Sequence, residues 1–234
     1  MYQPPAFRED RIEVQHGLIR SHPLGLLITA GPAGLLANPF PFVLDGAPGN
    51  GTLRLHIARA NPQWRELEAV EECLVVFQGP HDYVTPSWYA TKQETGKVVP
   101  TWNYATVHVW GRPRIMRDDL WLRRQLDDLT DSRERRRATP WQVDDAPADF
   151  VAAQMRAIVG VEIPISRIEG KWKMSQNRPL ADREGVIKGY RESGEVGETL
   201  AGLVAERGGL GEKQPVMDAC DKAMDERDNP MTKT

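Results

Sequence analysis

The side chains best suited to ligand chemistry gather in three short segments. The first is His56-Ile57-Ala58-Arg59-Ala60-Asn61-Pro62-Gln63-Trp64. It runs from the end of an alternating strand to a proline that suits a first helical turn. A helix start offers unpaired N–H groups and a positive dipole end, which suit a phosphate, and Arg59, Asn61 and Gln63 could add side-chain contacts. Spacing alone favours the plainer reading, a helix capped by Asn61 with no ligand. The second segment runs from Ser87-Trp88-Tyr89 through Lys92 to Val99-Pro100-Thr101-Trp102-Asn103-Tyr104. Aromatics beside Ser, Thr and Asn suit a flat, partly polar ligand, stacked on its face and hydrogen-bonded at its edge. An aromatic subunit interface has the same composition. The third is Gly170-Lys171-Trp172-Lys173-Met174-Ser175-Gln176-Asn177-Arg178. Polar groups this dense after an apolar strand need partners if buried, from a ligand or a neighbouring subunit; in a solvated loop they need none.

Other chemistries find no pattern. The chain has no Walker loop, no Gly-x-Gly-x-x-Gly, no Gly-x-Ser-x-Gly, no His-Glu-x-x-His and no Cys-x-x-Cys. Its five histidines lack ligand spacing, so no metal site is expected. His81-Asp82 follows Gly79-Pro80 and reads as a turn with an Asp cap rather than a catalytic pair. Cys73, inside Cys73-Leu74-Val75-Val76-Phe77, reads as a small core residue. Proton supply, if needed, would fall first to His56, His108 or Tyr104.

The elements that must position these groups are mainly β. A helix is expected over 8–21, ended before Pro23. Strands follow at 25–29, 35–44 and 52–58, the last with Leu53, Leu55 and Ile57 on one face. Residues 73–78 form a buried strand stopped by Gly79-Pro80, and 83–103 are irregular. In the next strand Tyr104, Thr106, His108 and Trp110 face one way and Ala105, Val107 and Val109 the other. Asp118 caps a helix to about 135, with Leu120, Leu122, Leu126 and Leu129 facing the core. Another helix at 147–157 precedes a strand alternating at Val159, Val161, Ile163 and Ile165. Some six strands close in sequence, with helices around them, fit an α+β antiparallel barrel with peripheral helices. One domain is expected over 1–194, with a short helix and a mobile tail over 195–234.

Net charge is −3, and residues 191–234 carry ten acids against six bases, so neither part looks like a nucleic-acid surface. Nine arginines between 112 and 137 are interspersed with six acids and read as a solvated helical face. No apolar stretch approaches the ~18 residues of a membrane span. The start Met1-Tyr2-Gln3-Pro4-Pro5 is unlike a signal peptide, and two cysteines form no disulfide framework, so a cytoplasmic setting is expected.

The same segments carry a family resemblance. Met1-Tyr2 with Phe7, residues 58–64, Phe77-Gln78-Gly79-Pro80-His81, Ser87-Trp88-Tyr89, residues 99–104 with Val107-His108, Pro140-Trp141, Ile158-Val159-Gly160 and residues 173–178 occur in an order that resembles the PaiB-type family of FMN-binding negative transcriptional regulators. The resemblance spans roughly residues 1–190. It implies an FMN-binding split β-barrel, pyridoxamine-phosphate-oxidase-like, working as a homodimer with flavin at the subunit interface. In that class the strand–turn–helix after the third strand grips the flavin phosphate with Ser, Arg and Lys. Here Asn61-Pro62-Gln63-Trp64 occupies the similar turn, and Arg59, Lys92 and Lys173 are the cations available to replace the class's charged pair. Lys173 with Ser175, Gln176 and Asn177 is similar in position to a late polar segment against the flavin, and Ala37-Asn38 resembles a position bordering its ring. The family label adds DNA as a partner, which the charge does not support. Regulation through the flavin, an NAD(P)H-dependent flavin oxidoreductase, and a haem-binding split barrel are the functions open at this point.

Overall fold

A computed structural model describes residues 1–32, 34–46 and 49–210. They divide into two compact units, Met1–Tyr83 with Trp102–Lys173, and Val84–Thr101 with the chain from Met174 onward. The tail beyond 210, with Cys220, lies outside the described residues.

The first unit is built on nine antiparallel strands in which one strand serves two sheets. That strand is β9 (Ile158–Lys173). Its first half pairs with β5 (Thr52–Ala58) and β8 (Arg114–Met116), its second half with β7 (Thr101–Gly111) and β1 (Arg8–Glu9). From β7 the sheet continues through β6 (Cys73–Val84) and β2 (Leu24–Gly31) to β3 (Gly34–Pro41), and from β5 it ends at β4 (Val43–Asp45). Leu53, Leu55 and Ile57 of β5 and Val159, Val161 and Ile163 of β9 all point inward and are essentially inaccessible, so the period-2 pattern sets the core. α1 (Ile12–Ser21) adds Leu18 and Ile19 to that core.

Several strand boundaries differ from the sequence expectation, each for a local reason. The stretch 35–44 breaks at Phe42, which turns inward and meets Phe77 edge-on at 5.3 Å. β6 does not stop at Gly79-Pro80 but runs to Val84. Gly79 is there for close approach: a Cβ would stand 2.8 Å from Leu18 Cδ1 and 3.2 Å from the Ala105 carbonyl oxygen. Strand β7 ends at Gly111, and β8 is a separate short strand after Arg112-Pro113.

Two further helices, α4 (Asp119–Glu134) and α5 (Ala148–Arg156), belong to this unit. α4 starts where Asp118 Oδ1 accepts the Trp121 N–H at 2.8 Å. Its buried residues are Leu122 and Gln125, while Leu120 is exposed, contrary to the apolar stripe expected. α5 precedes β9, and the short α2 (Gln63–Ala69) follows β5.

The second unit is helical: α3 (Ala90–Thr95), α6 (Leu180–Arg191) and α7 (Glu195–Arg207). Val186, Tyr190, Leu200 and Val204 form its core. Asp182, fully buried, accepts hydrogen bonds from the Thr91 N–H (2.9 Å) and hydroxyl (3.0 Å).

Candidate functional site

The turn between β5 and α2 is held by its own side chains. Asn61 Oδ1 accepts the Gln63 N–H at 3.0 Å, and Trp64 Nε1 donates to the Arg59 carbonyl at 3.0 Å. The guanidinium of Arg65 stacks 4.4 Å from the Trp64 ring. Gln63 is fully buried. Its Nε2 donates to the Leu27 carbonyl (3.2 Å) and toward Thr29 Oγ1 (3.4 Å), and its Oε1 accepts from Asn38 Nδ2 (2.8 Å). Structure therefore joins Asn38 to Gln63, two residues picked separately from the sequence, and spends the Gln63 amide on fixing the turn to β2 and β3. Arg59 is exposed and gives Nε to the Arg156 carbonyl at 2.8 Å. The helix start itself is no free anion site: its Gln63 N–H is already taken and α2 has seven residues.

His56 and Ile57 leave this turn in opposite directions. Ile57 is 1 % exposed and belongs to the core. His56 stands opposite Gly160, over which the Trp121 ring lies so closely that a Cβ on Gly160 would be 2.0 Å from it. The Nδ1 of His56 is buried without a hydrogen-bond partner, and burial pushes its pKa down.

A second feature is a sheet face of the first unit with apolar residues exposed among the described residues. In β2, Leu27 and Thr29 point inward, so Leu26 and Ile28 point outward. Register places Leu26 opposite Val76 and Ile28 opposite both Leu74 and Ala37. Leu24, Leu26 and Leu35 are exposed to 65 %, 38 % and 77 %. Along β7 the outward residues are Tyr104, Thr106, His108 and Trp110, facing Lys173, Lys171, Glu169 and Arg167 of β9. The alternation expected for β7 is thus observed. One face runs from apolar at β2 and β3 to polar and cationic at β7 and β9. The Thr106 hydroxyl lies between the two regions and donates to the Phe77 carbonyl at 2.9 Å. Strands apolar on both sides are ordinarily covered on both sides.

Trp102 and Lys173 lie at one end of this face. The Trp102 ring is half exposed, 6.1 Å from Tyr83 and 6.4 Å from His81, and Lys173 Nζ donates to the Trp102 carbonyl at 2.6 Å. Asn103 is fully buried, on the opposite side of β7 from Trp102. Trp88, Lys92, Ser175, Gln176 and Asn177 belong to the helical unit. There the Trp88 indole packs on Gly189, where a Cβ would come within 2.2 Å, and meets Tyr190 edge-on at 5.0 Å. Lys92 Nζ donates to Ser87 Oγ at 3.2 Å, and Gln176 Oε1 accepts the Met174 N–H at 2.6 Å. Ser175 adopts φ +60°, a left-handed conformation uncommon outside glycine.

Among the described residues, five of the nine arginines between 112 and 137 make ion pairs. Arg112, Arg117, Arg123, Arg124 and Arg137 are bonded to Glu71, Glu68, Asp127 with Asp144, Asp128 and Glu134. The expected intermixing of charges on α4 is observed. Burial raises the Cys73 thiol to about 12, with Glu72 adding to it, as fits a core residue. Among the described residues no cluster of three His, Cys, Asp or Glu could hold a metal, and no helix is long and apolar enough to cross a membrane. Sequence reasoning had not picked out the outward residues Leu26, Ile28 and Val76. The one signal for them was the unbroken apolar run Leu26-Leu27-Ile28, which a half-exposed strand does not need.

Comparison with known proteins agrees with this architecture. Residues 1–167 match the family model described as "Putative FMN-binding domain". An uncharacterised protein of Emericella nidulans is 39 % identical over 92 % of this chain and 100 % of its own length. The protease synthase and sporulation protein PAI 2 of Bacillus subtilis is 31 % identical over 80 % of this chain and 88 % of its own. Among solved structures, the FAD and haem binding protein of Mycobacterium smegmatis superposes with a TM-score of 0.52 at 17 % identity, covering 70 % of this chain and 71 % of that one.

Proposed function

Starting from the fact that the chain belongs to the PaiB-type family of FMN-binding, pyridoxamine-phosphate-oxidase-like split barrels, we propose that it binds FMN on the open face of β2, β6 and β7 and pairs with a second copy across that face. The observation that carries this reading is the outward apolar row of exposed Leu26 with half-buried Ile28 and Val76, on a sheet that continues to the polar outward residues of β7. A flavin ring needs an apolar bed and hydrogen-bonding groups at its rim, and this surface supplies both. Ala37, with its small side chain opposite Ile28, leaves the bed flat. Arg59 and the amide of Asn61 are the groups proposed for the phosphate, on a turn that Gln63 and Asn38 hold in place. A dimer covering Leu24 and Leu35 removes the remaining apolar surface from water.

Bound FMN would supply one- and two-electron transfer; the chain's part is to hold and orient it and keep water from its ring. We assign the regulatory role of the family to that redox chemistry rather than to direct DNA contact. The net charge of −3 and the acids interspersed among the arginines of α4 support this assignment, since counterion-releasing phosphate contacts need an excess of cations.

Flavin fluorescence quenching tests the placement. FMN is expected to bind, riboflavin at least about tenfold more weakly because it lacks the phosphate, and Val76→Arg to abolish binding of both while far-ultraviolet dichroism is retained. Equal affinity for riboflavin overturns the phosphate assignment, and unchanged FMN affinity in Val76→Arg overturns the face.

A further inference from the structure

The cationic end of the open face holds a lysine whose charge nothing in the described chain neutralises. Lys171 is 8 % exposed, so its stem is buried. Its ammonium lies between two aromatic rings, 5.3 Å from the centroid of Tyr104 and 5.6 Å from that of Tyr2. It makes no ion pair among the described residues. The acid two positions away, Glu169, is already committed: its carboxylate accepts from the Met1 ammonium at 2.5 Å and from Arg167 at 3.1 Å. Those two partners hold the Glu169 carboxyl below its ordinary range despite the opposing pull of burial. Arg167 in turn stacks 3.6 Å from the Trp110 ring. Opposite Lys171 in the register is the Thr106 hydroxyl.

Burying most of a lysine beside a spoken-for carboxylate has a cost that cation–π contacts offset only in part. An arriving anion recovers it. The rings beside the ammonium set the anion's shape. Tyr2 is 83 % exposed and Tyr104 partly so, and their faces suit a flat molecule whose charged end reaches Lys171. We propose that Lys171, Tyr104 and Tyr2 form a recognition site for the carboxylate of a small planar organic acid, the substrate class of the flavin-bearing face. This inference rests on the flavin reading only for what stands beside the acid; the anion site itself is a property of β7, β9 and the segment at Tyr2.

Benzoate is the probe, with inorganic phosphate as the comparison, measured by titration calorimetry on the full chain with and without added FMN. Wild type is expected to bind benzoate more tightly than phosphate. Lys171→Met should weaken benzoate at least about tenfold, as for a lost charge-assisted hydrogen bond. Lys171→Arg should retain it within about threefold, and Lys97→Met on the helical unit should leave it unchanged. The FMN affinity of Lys171→Met should equal that of wild type. The proposal is overturned if wild type fails to bind benzoate, if Lys171→Met binds it normally, if phosphate binds at least as well, or if Lys171→Met loses FMN, which would make Lys171 part of the flavin's own grip. Lys171-dependent benzoate binding by a protein that takes up no FMN would uphold the anion site and sink the flavin reading instead.

Discussion

Replacing Arg54 with methionine removes the one buried guanidinium that ties β4, β5 and α4 together. The residue is 3 % exposed. Nε and one terminal nitrogen donate to Asp45 at 2.7 and 3.1 Å, the same terminal nitrogen to Asp128 at 2.5 Å, and the other to Gln125 Oε1 at 3.0 Å. Burial alone would depress the Arg54 pKa, but the two carboxylates more than compensate and hold it raised. Breaking a buried pair costs roughly 3–5 kcal/mol when the orphaned partner stays buried. Asp45 and Asp128 are about one-third exposed here, so water recovers part of that loss. Gln125 is fully buried and its Nε2 already lacks a partner, so losing the bond at Oε1 adds ~1 kcal/mol or more. The expected loss is about 3 kcal/mol, or roughly 6–12 °C in Tm for a chain of this size. Urea unfolding followed by circular dichroism reads it directly, with the m-value unchanged. The double variant Arg54→Met with Gln125→Leu should recover about 1 kcal/mol, since it removes the stranded amide. A loss below about 1 kcal/mol in the single variant would refute the idea that this guanidinium anchors α4.

Three further outcomes follow from the same packing. Cys73, with its thiol pushed up to about 12 and its sulfur against the Gly111 carbonyl, should resist iodoacetamide at pH 8 in a Cys220→Ser background and react only after unfolding; rapid labelling of the native protein would contradict its burial. His56 and His108 both have pKa values lowered below the ordinary 6.5, chiefly by desolvation. The unfolded chain therefore takes up protons that the folded one refuses as pH falls below about 6.5. Stability should be full above that value and decline beneath it, a decline that His56→Gln with His108→Gln flattens in urea titrations at pH 7.5 and 5.5. Gly160→Ala should cost about 2 kcal/mol by driving a Cβ into the Trp121 ring, which is pinned by its 2.6 Å bond to Glu162; an unchanged urea midpoint would show that α4 moves freely over β9.

What could be read from the residues was governed by local pattern. Alternation over Leu53, Leu55 and Ile57 and over β7 has one physical cause, a strand with one face on the core, and both patterns were legible. Gly79-Pro80 read as a stop because turn chemistry and close backbone approach ask for the same residue, and only Leu18 and Ala105 across the space decide between them. α6 was not expected at all, since Gly185 and Gly189 weaken a helical signal; both are where Trp88 comes against the helix. In the candidate site, Asn38 and Gln63 could be named but not joined, because they lie 25 residues apart and meet only when α2 packs against β2 and β3. Lys171 could be named within the third polar segment, but not its burial, which depends on register with Thr106 and on Tyr2 arriving from the far end of the chain.

The visible absorption spectrum of the purified protein, recorded before and after adding FMN and desalting, tests the central claim most directly. The flavin reading predicts that the bands of FMN remain with the protein and are lost in Val76→Arg. A protein that releases all of its FMN on desalting, and whose variant behaves the same way, would contradict it and leave the open face of β2, β6 and β7 as an interface alone.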